Sequence, residues 1–160
     1  MPYFKNYKGD KIAYKILKGK SPGLIFVHGF TSDMETDKAL EIERYAKKNN
    51  LNFIKFDLRG HGKSPITNKD FNLDSLVSDL ERLREKTKIE KAHFVGHSLG
   101  GMISPAYARK YPDRVLSVGM LSTVAARSDD DRNKIWKVIN DLKTIGAVSY
   151  THLTLPTSSR

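Results

Sequence analysis

The stretch that decides the fold is residues 92–101, which read Ala-His-Phe-Val-Gly-His-Ser-Leu-Gly-Gly. Its first four residues form a short, largely apolar run, which is typical of a strand buried on both faces of a sheet. The Gly-x-Ser-x-Gly that follows predicts a tight turn, and a helix is expected from about Ser98 to Lys110. In such a turn Ser98 stands above the sheet, because Gly96 and Gly100 leave space that side chains would fill. The alternative is a glycine-rich turn with an ordinary helix-capping serine.

Strand and helix patterns alternate on either side of this stretch. Strand-like runs at 3–7 and 12–17 flank a hairpin signal, Lys8-Gly9-Asp10-Lys11. The other predicted elements are a strand at 24–27 after a break at Pro22-Gly23, a helix with the stripe Ala39, Leu40, Ile42, Tyr45 and Ala46, a strand at 53–56, a helix with the stripe Leu73, Leu76, Val77, Leu80 and Leu83, a strand at 115–121, and a helix at 135–142. A hairpin followed by this alternation predicts an α/β fold, with a mostly parallel sheet and helices on both faces.

Three positional expectations follow from the same patterns. The strand at 92–95 should be central, with Ser98 at its carboxyl edge. Asp74 and Asp79 should lie on the solvent side of their helix. The strand at 115–121 reads as buried on both faces of a sheet, but we expect its outer neighbour and covering helices to be absent from residues 1–160, which leaves an uncovered apolar edge.

Composition bounds the class of protein. The chain has 160 residues, 39% of them hydrophobic and 29% charged, which fits one globular domain and excludes a disordered or collagen-like chain. No apolar run approaches the roughly 20 residues of a membrane helix, and residues 1–11 lack the apolar core of a signal peptide, so we expect no membrane span and a cytoplasmic location. The net charge of +10 comes from lysines scattered among 18 acidic residues, which favours a solvated surface and no nucleic-acid partner. Nucleic-acid binding stays a weaker alternative.

Two further loops, like the serine turn, directly follow predicted strands. His28-Gly29-Phe30 follows the strand at 24–27, and residues 57–64, Asp-Leu-Arg-Gly-His-Gly-Lys-Ser, follow the strand at 53–56. With the Gly-His-Ser-Leu-Gly-Gly at 96–101, these motifs make the chain resemble the alpha/beta-hydrolase fold family over about residues 3–125.

The resemblance implies a role for each matching position. Ser98 corresponds to the nucleophile, and the backbone N–H groups of Phe30 and Leu99 correspond to the oxyanion hole. It implies a small-molecule acyl substrate, and no motif suggests a metal or an organic cofactor. For the three histidines in these loops we favour a structural role over that of base or ligand, and we expect residues 57–62 to form a packed, charge-paired loop. The residues expected to support the turn and the loops are Gly96, His97, Gly100, Gly101, His28, Gly29, Asp57, Arg59, Gly60 and His61.

The function that these residues imply is a serine hydrolase of carboxylic ester, thioester or related acyl bonds. A haloperoxidase or carbon–carbon hydrolase of the same fold would share the serine and the oxyanion donors. A non-catalytic interaction module that has kept the fold is the third reading.

The general base and its acid cannot be assigned. In this fold the order along the chain is serine, acid, histidine, and after Ser98 the chain has one histidine, His152. His152 lies in residues 149–160, a Ser/Thr-rich stretch without periodicity that we interpret as a non-native or disordered tail. We therefore expect residues 1–148 to be an incomplete domain that stops after about the sixth strand, with the acid and histidine beyond residue 148 and no activity in this stretch alone.

Overall fold

The computed structural model describes residues 1–65 and 70–122, together with the separate positions 128–130, 133, 134 and 137. Six strands and three α-helices lie in the first two ranges. In chain order they are β1 (Tyr3–Lys5), β2 (Lys11–Leu17), β3 (Lys20–Val27), α1 (Asp37–Lys48), β4 (Leu51–Phe56), α2 (Leu73–Thr87), β5 (Ala92–His97), α3 (Gly100–Lys110) and β6 (Val115–Leu121), with a short 3-10 helix at Pro112–Arg114 before β6.

The strands form one mixed sheet in the order β1-β2-β4-β3-β5-β6. The pairs β1–β2 and β2–β4 are antiparallel, whereas β3–β4, β3–β5 and β5–β6 are parallel. Helix α1 packs on one face of the sheet, and α2 and α3 pack on the other. The predicted α/β class with a mostly parallel sheet is confirmed, and β5 lies inside the sheet, between β3 and β6.

The continuous apolar runs arise because consecutive strand residues face opposite sides of the sheet. In β3, Ile25 and Val27 belong to the core under α2 and α3, whereas Phe26 packs against Ala39 and Ala46 of α1. All of these side chains are at most 1% exposed. Full burial of one such large aliphatic or aromatic side chain contributes roughly 1.5–3 kcal/mol, so the two cores hold β3 between the helices.

The prediction that Pro22-Gly23 separates β3 from what precedes it was wrong. Strand β3 begins at Lys20 and runs through both residues, and its pairing with β4 shifts register between Lys20 and Leu24. A register irregularity is one of the few places where a strand tolerates proline, since no regular ladder hydrogen bond is required of it there.

The expected uncovered apolar edge is seen at β6 in the described part of the chain, so the burial on both faces that its apolar run indicates is not reached there. Leu116 and Met120 are each 46% exposed, and only Val115 and Val118 pack against the core. The physical reason is that β6 is the edge strand of the described sheet, with β5 as its one paired neighbour.

Other sequence-based expectations fall outside the residues that the structure describes. These are the helix at 135–142, apart from Lys137, and the tail at 149–160 with His152. Over the described ranges, no helix has the length and apolar character needed to cross a membrane.

Candidate active site

Ser98 occupies the turn between β5 and α3 with an unusual backbone. Its φ is +53°, in the left-handed region that residues with a side chain rarely adopt. The Ser98 N–H donates to the Leu121 carbonyl at 2.9 Å, and the Ser98 carbonyl accepts from the Gly101 N–H at 2.9 Å. The side chain is half-buried at the carboxyl end of the sheet. Such a conformation costs on the order of 1–3 kcal/mol and persists only where the surroundings impose it.

Close backbone packing around the turn explains its glycines. A Cβ on Gly96 would lie 2.0 Å from the Gly100 carbonyl oxygen, and a Cβ on Gly100 would lie 1.9 Å from the carbonyl oxygen of Val27. A Cβ on Gly29 would lie 3.0 Å from the Ser98 Cβ. The end of β3 therefore packs directly against the serine turn, with no side chain between the two backbones.

Two backbone donors lie on either side of this contact. Leu99 is 2% exposed and directly precedes α3, while the half-buried Phe30 follows Gly29. Within residues 1–65 and 70–122, neither the Phe30 N–H nor the Leu99 N–H donates a hydrogen bond to the protein. Among the described residues, both donors are therefore without an acceptor.

His28 is buried at the end of β3 and both of its ring nitrogens are engaged. Its Nε2 accepts a hydrogen bond from the Leu58 N–H at 2.9 Å, and its Nδ1 lies 2.7 Å from the Gly29 carbonyl oxygen. Burial lowers the pKa of His28 to about 3, helped by the nearby rings of His61 and His97. A neutral imidazole with both nitrogens occupied has no free nitrogen for a metal or for a substrate proton.

His61 is buried in an aromatic cluster. Its ring centroid lies 5.9 Å from that of Phe71 and 6.4 Å from that of Phe30, and its Nδ1 lies 3.1 Å from the Arg59 carbonyl oxygen. Burial lowers the pKa of His61 to about 4. Among the described residues, the His61 Nε2 has no hydrogen-bond partner. The ring packs the loop after β4 against the Phe30 side chain.

Asp57 joins the loops that follow β3 and β4. Its Oδ1 accepts from the Met34 N–H and its Oδ2 from the Lys63 N–H, both at 2.8 Å. Gly62 has a φ of +49°, and a Cβ there would lie 2.3 Å from the Asp57 Oδ2. Gly60 also has a positive φ, +74°. Burial raises the pKa of Asp57 despite these two hydrogen bonds.

Arg59 pairs with α2. Its Nε and one terminal nitrogen each donate to an Asp79 carboxylate oxygen at 2.7 Å, and both side chains are at most 4% exposed. The prediction that Asp79 faces solvent was wrong, whereas Asp74 is exposed as predicted. The signal was in the sequence: Asp79 follows Leu76 by three positions and precedes Leu83 by four, which places it on the buried stripe of α2.

His97 borders a polar cavity of about 390 Å³ next to Ser98. Every residue that lines it is polar or charged: Ser32, Glu35, Thr36, Asp37, Lys38 and His97. Burial, followed by the charge of Lys38, lowers the pKa of His97.

Five acidic residues follow Ser98 in the chain, where the order of this fold would place the acid. Asp113 is exposed in the 3-10 helix, and Asp129 and Asp130 are also exposed, whereas Asp131, Asp141 and His152 lie outside the described residues. In the ranges 1–65 and 70–122, no ion pair or hydrogen bond joins a histidine ring to a carboxylate. A serine–histidine–acid set is therefore not formed by the described residues.

Comparison with known proteins identifies the family of this chain. The profile of the alpha/beta hydrolase fold family matches residues 22–142, and the chain belongs to that family. Human "Palmitoyl-protein thioesterase ABHD10, mitochondrial" is 37% identical over 116 residues, which cover 71% of this chain and 37% of that protein. A Cupriavidus necator protein, "Dihydrolipoyllysine-residue acetyltransferase component of acetoin cleaving system", is 31% identical over 121 residues, which cover 76% of this chain and 32% of that protein.

Solved structures give the same class. Mouse alpha/beta hydrolase domain-containing protein 10 superposes with a TM-score of 0.72 at 27% identity, covering 85% of this chain and 58% of the mouse chain. A carboxylesterase structure from the thaumarchaeon Nitrososphaera gargenis superposes with a TM-score of 0.75 at 23% identity, covering 99% of this chain and 60% of that one, which shows the shared fold. The chain spans less than two-fifths of the length of the two curated relatives.

Proposed function

We propose that Ser98 is the nucleophile of a serine hydrolase that cleaves carboxylic ester, thioester or related acyl bonds of small molecules. The observation that carries this proposal is the φ of +53° at Ser98, at the carboxyl end of β5. Strain of this kind in a residue with a side chain is concentrated at functional sites, where it holds a reacting group in a fixed position. Strand–turn–helix context with glycines on both sides is the setting of a nucleophile elbow.

The chemistry follows from the groups around the serine. The Ser98 hydroxyl oxygen would attack the acyl carbonyl carbon while its proton passes to the general base, and the carbonyl oxygen would become the oxyanion of a tetrahedral intermediate. Collapse of that intermediate would break the bond to the alcohol or thiol, which leaves with the proton, and water would then release the acid from the acylated serine. The N–H groups of Phe30 and Leu99, which lack protein acceptors among the described residues, would donate to that oxyanion. One such donor is worth roughly 3–4 kcal/mol of transition-state stabilisation. The positive end of the α3 dipole lies on the same side and adds to the effect.

The relatives support the choice of acyl bond. The human protein that shares 37% identity carries the name of a thioesterase, so thioesters belong in the proposed substrate class beside carboxylic esters. The same name includes "mitochondrial", and a cytoplasmic location for this chain stays a prediction. The expected lack of nucleic-acid binding likewise stays a prediction, which salt-dependent binding to generic DNA or RNA would contradict.

We further propose that the general base and its acid lie beyond residue 148, so that residues 1–148 are an incomplete domain. Support comes from the short share of the relatives that the chain spans and from the engaged or buried rings of His28 and His61. Without an adjacent base the Ser98 hydroxyl stays protonated near pH 7. The chain alone should reach at most about 10³-fold over water, the level that oxyanion donors and binding sustain by themselves.

That expectation is tested by expressing residues 1–148 alone and with the native continuation of the gene, and by comparing hydrolysis of a short acyl ester. We expect activity only in the longer protein. Full activity in the 1–148 protein would overturn the assignment of the base.

The nucleophile itself is tested by labelling the longer protein with a fluorophosphonate probe and mapping the modified peptide by mass spectrometry. We expect Ser98 to be labelled and Ser98→Ala to abolish labelling. Ser122→Ala is a matched control, because Ser122 also has a positive φ, +48°, at the end of the neighbouring strand β6. An unlabelled wild type would favour a non-catalytic interaction module on the same fold.

A further inference from the structure

We infer that His28 is a positioning residue, which orients the Phe30 N–H by holding the carbonyl at the other side of the same peptide unit. The inference rests on the proposed function, since it assigns the Phe30 N–H to the oxyanion. The inference concerns the direction in which the Phe30 N–H points. That direction depends on the orientation of the Gly29–Phe30 peptide and not on the Phe30 side chain.

The tautomer of His28 follows from its two contacts. The Leu58 group that faces Nε2 is a backbone N–H, so Nε2 must be the acceptor, at 2.9 Å. In a neutral imidazole the proton then sits on Nδ1, and Nδ1–H donates to the Gly29 carbonyl oxygen at 2.7 Å. Burial favours this neutral form. The Leu58 N–H thus decides which nitrogen donates to Gly29.

The Gly29 carbonyl and the Phe30 N–H belong to one rigid peptide plane. This peptide is trans, so its C=O and N–H bonds point in opposite directions. Fixing the carbonyl toward the His28 ring therefore fixes the N–H on the side away from that ring. A peptide at glycine is otherwise easily rotated, because glycine lacks the Cβ that restricts φ and ψ.

The plane held in this way lies against the serine turn. A Cβ on Gly29 would lie 3.0 Å from the Ser98 Cβ and 3.1 Å from the His97 carbonyl oxygen. Among the described residues the Phe30 N–H has no protein acceptor, so no hydrogen bond from that part of the chain holds the peptide on its donor side. The hydrogen bond from His28 to Gly29 is accordingly the contact that prepares this donor before substrate binds.

Two substitutions separate the two hydrogen bonds of the ring. In His28→Asn the amide nitrogen takes the place of Nδ1 and can still donate to Gly29, but the contact with Leu58 is lost. In His28→Gln the amide oxygen takes the place of Nε2 and can still accept from Leu58, but the donor to Gly29 is lost. A merely structural role for His28 would make the two variants equally poor.

The kinetic test uses the longer protein with a short acyl ester. We expect His28→Gln to lose about 10²-fold in kcat with little change in KM, because a misdirected oxyanion donor weakens the transition state alone. His28→Asn should keep kcat within about tenfold of the wild type, since the donor to Gly29 remains. Equal losses of kcat in both variants, or a loss confined to KM, would overturn the inference.

A spectroscopic measurement covers the case in which a variant fails to fold. Nitrogen-15 NMR of the wild type should show His28 as a neutral ring protonated on Nδ1, and a ring protonated on Nε2 would overturn the inference without any variant. A wild type that lacks both hydrolytic activity and probe labelling at Ser98 would overturn the proposed function, and the inference with it. Activity and labelling in the wild type with the wrong His28 pattern would overturn the inference alone.

Discussion

The turn after β5 holds the candidate nucleophile, and the loop after β4 contacts the His28 and Phe30 rings, but different forces hold these two segments. The serine turn is fixed by backbone packed on backbone, with added Cβ atoms on Gly96 and Gly100 meeting carbonyl oxygens at 2.0 and 1.9 Å. The loop at 57–64 is fixed by buried side chains, through hydrogen bonds of Asp57 and Arg59 to residues distant in the chain.

This difference implies that opposite kinds of substitution should destabilise the two segments. The turn should not tolerate an added atom, because the neighbouring backbone cannot move aside without breaking the sheet. The loop should not tolerate the loss of a partner, because a buried polar or charged group would be left without compensation.

The largest effect is expected from Gly100→Ala. The added methyl group would lie 1.9 Å from the Val27 carbonyl oxygen, so β3 and α3 would have to separate, at a cost of more than about 5 kcal/mol in the free energy of unfolding. Gly119→Ala in β6 is the control, because its nearest neighbour would lie at 3.8 Å. Urea unfolding followed by circular dichroism measures both, and a Gly100→Ala protein as stable as the control would contradict the steric account.

A smaller effect is expected from breaking the buried pair under the loop. Asp79→Ala leaves the Arg59 guanidinium buried and without its carboxylate, which should reduce the free energy of unfolding by about 3–5 kcal/mol. Glu41→Ala, which removes the partner of exposed Arg44, should change it by less than about 1 kcal/mol. Similar urea midpoints for the two variants would show that the loop does not depend on its buried charges.

The smallest effect is a dependence of stability on pH. Burial lowers the pKa of His61 to about 4, so below its ordinary value near 6.5 the unfolded state binds the proton and the folded state does not. Stability from this group is therefore complete above about pH 6.5 and is lost as the pH falls toward 4, by about 1.4 kcal/mol per pH unit.

His61→Asn isolates that contribution. Asp57 and Asp79 act in the opposite direction, because burial raises the pKa of each, so the slope of the wild type alone is not informative. The variant should show a shallower fall in urea midpoint between pH 6.5 and 4.5 than the wild type. Parallel curves would mean that His61 can take up a proton in the folded protein.

The same contrast explains what could be predicted from the sequence. The serine turn is a local arrangement whose requirements fall on glycines within a few positions of Ser98, so a short motif between a strand and a helix was sufficient. The mostly parallel sheet could be predicted for the same reason. Each short apolar run is a local signal for a buried strand, and the alternation of such runs with helical patterns predicts parallel strands.

The side-chain contacts could not be predicted in this way, because each joins residues far apart in the chain. The bond from the Leu58 N–H to His28 and the pairing of Arg59 with Asp79 depend on how α2 and two loops come together. The exposure of Leu116 in β6 depends on which neighbours the strand has, and an apolar run alone does not report them.

The central claim is that Ser98 is the nucleophile, and the most direct test is the rate of hydrolysis of a short acyl ester and its thioester by the longer protein and its Ser98→Ala variant. The variant removes one hydroxyl from a half-buried position, so its circular dichroism should match that of the wild type. The account predicts a loss of kcat on the order of a millionfold for both substrates. A folded Ser98→Ala protein that hydrolyses either substrate at the wild-type rate would contradict it, and the strained turn would then serve only to join β5 to α3.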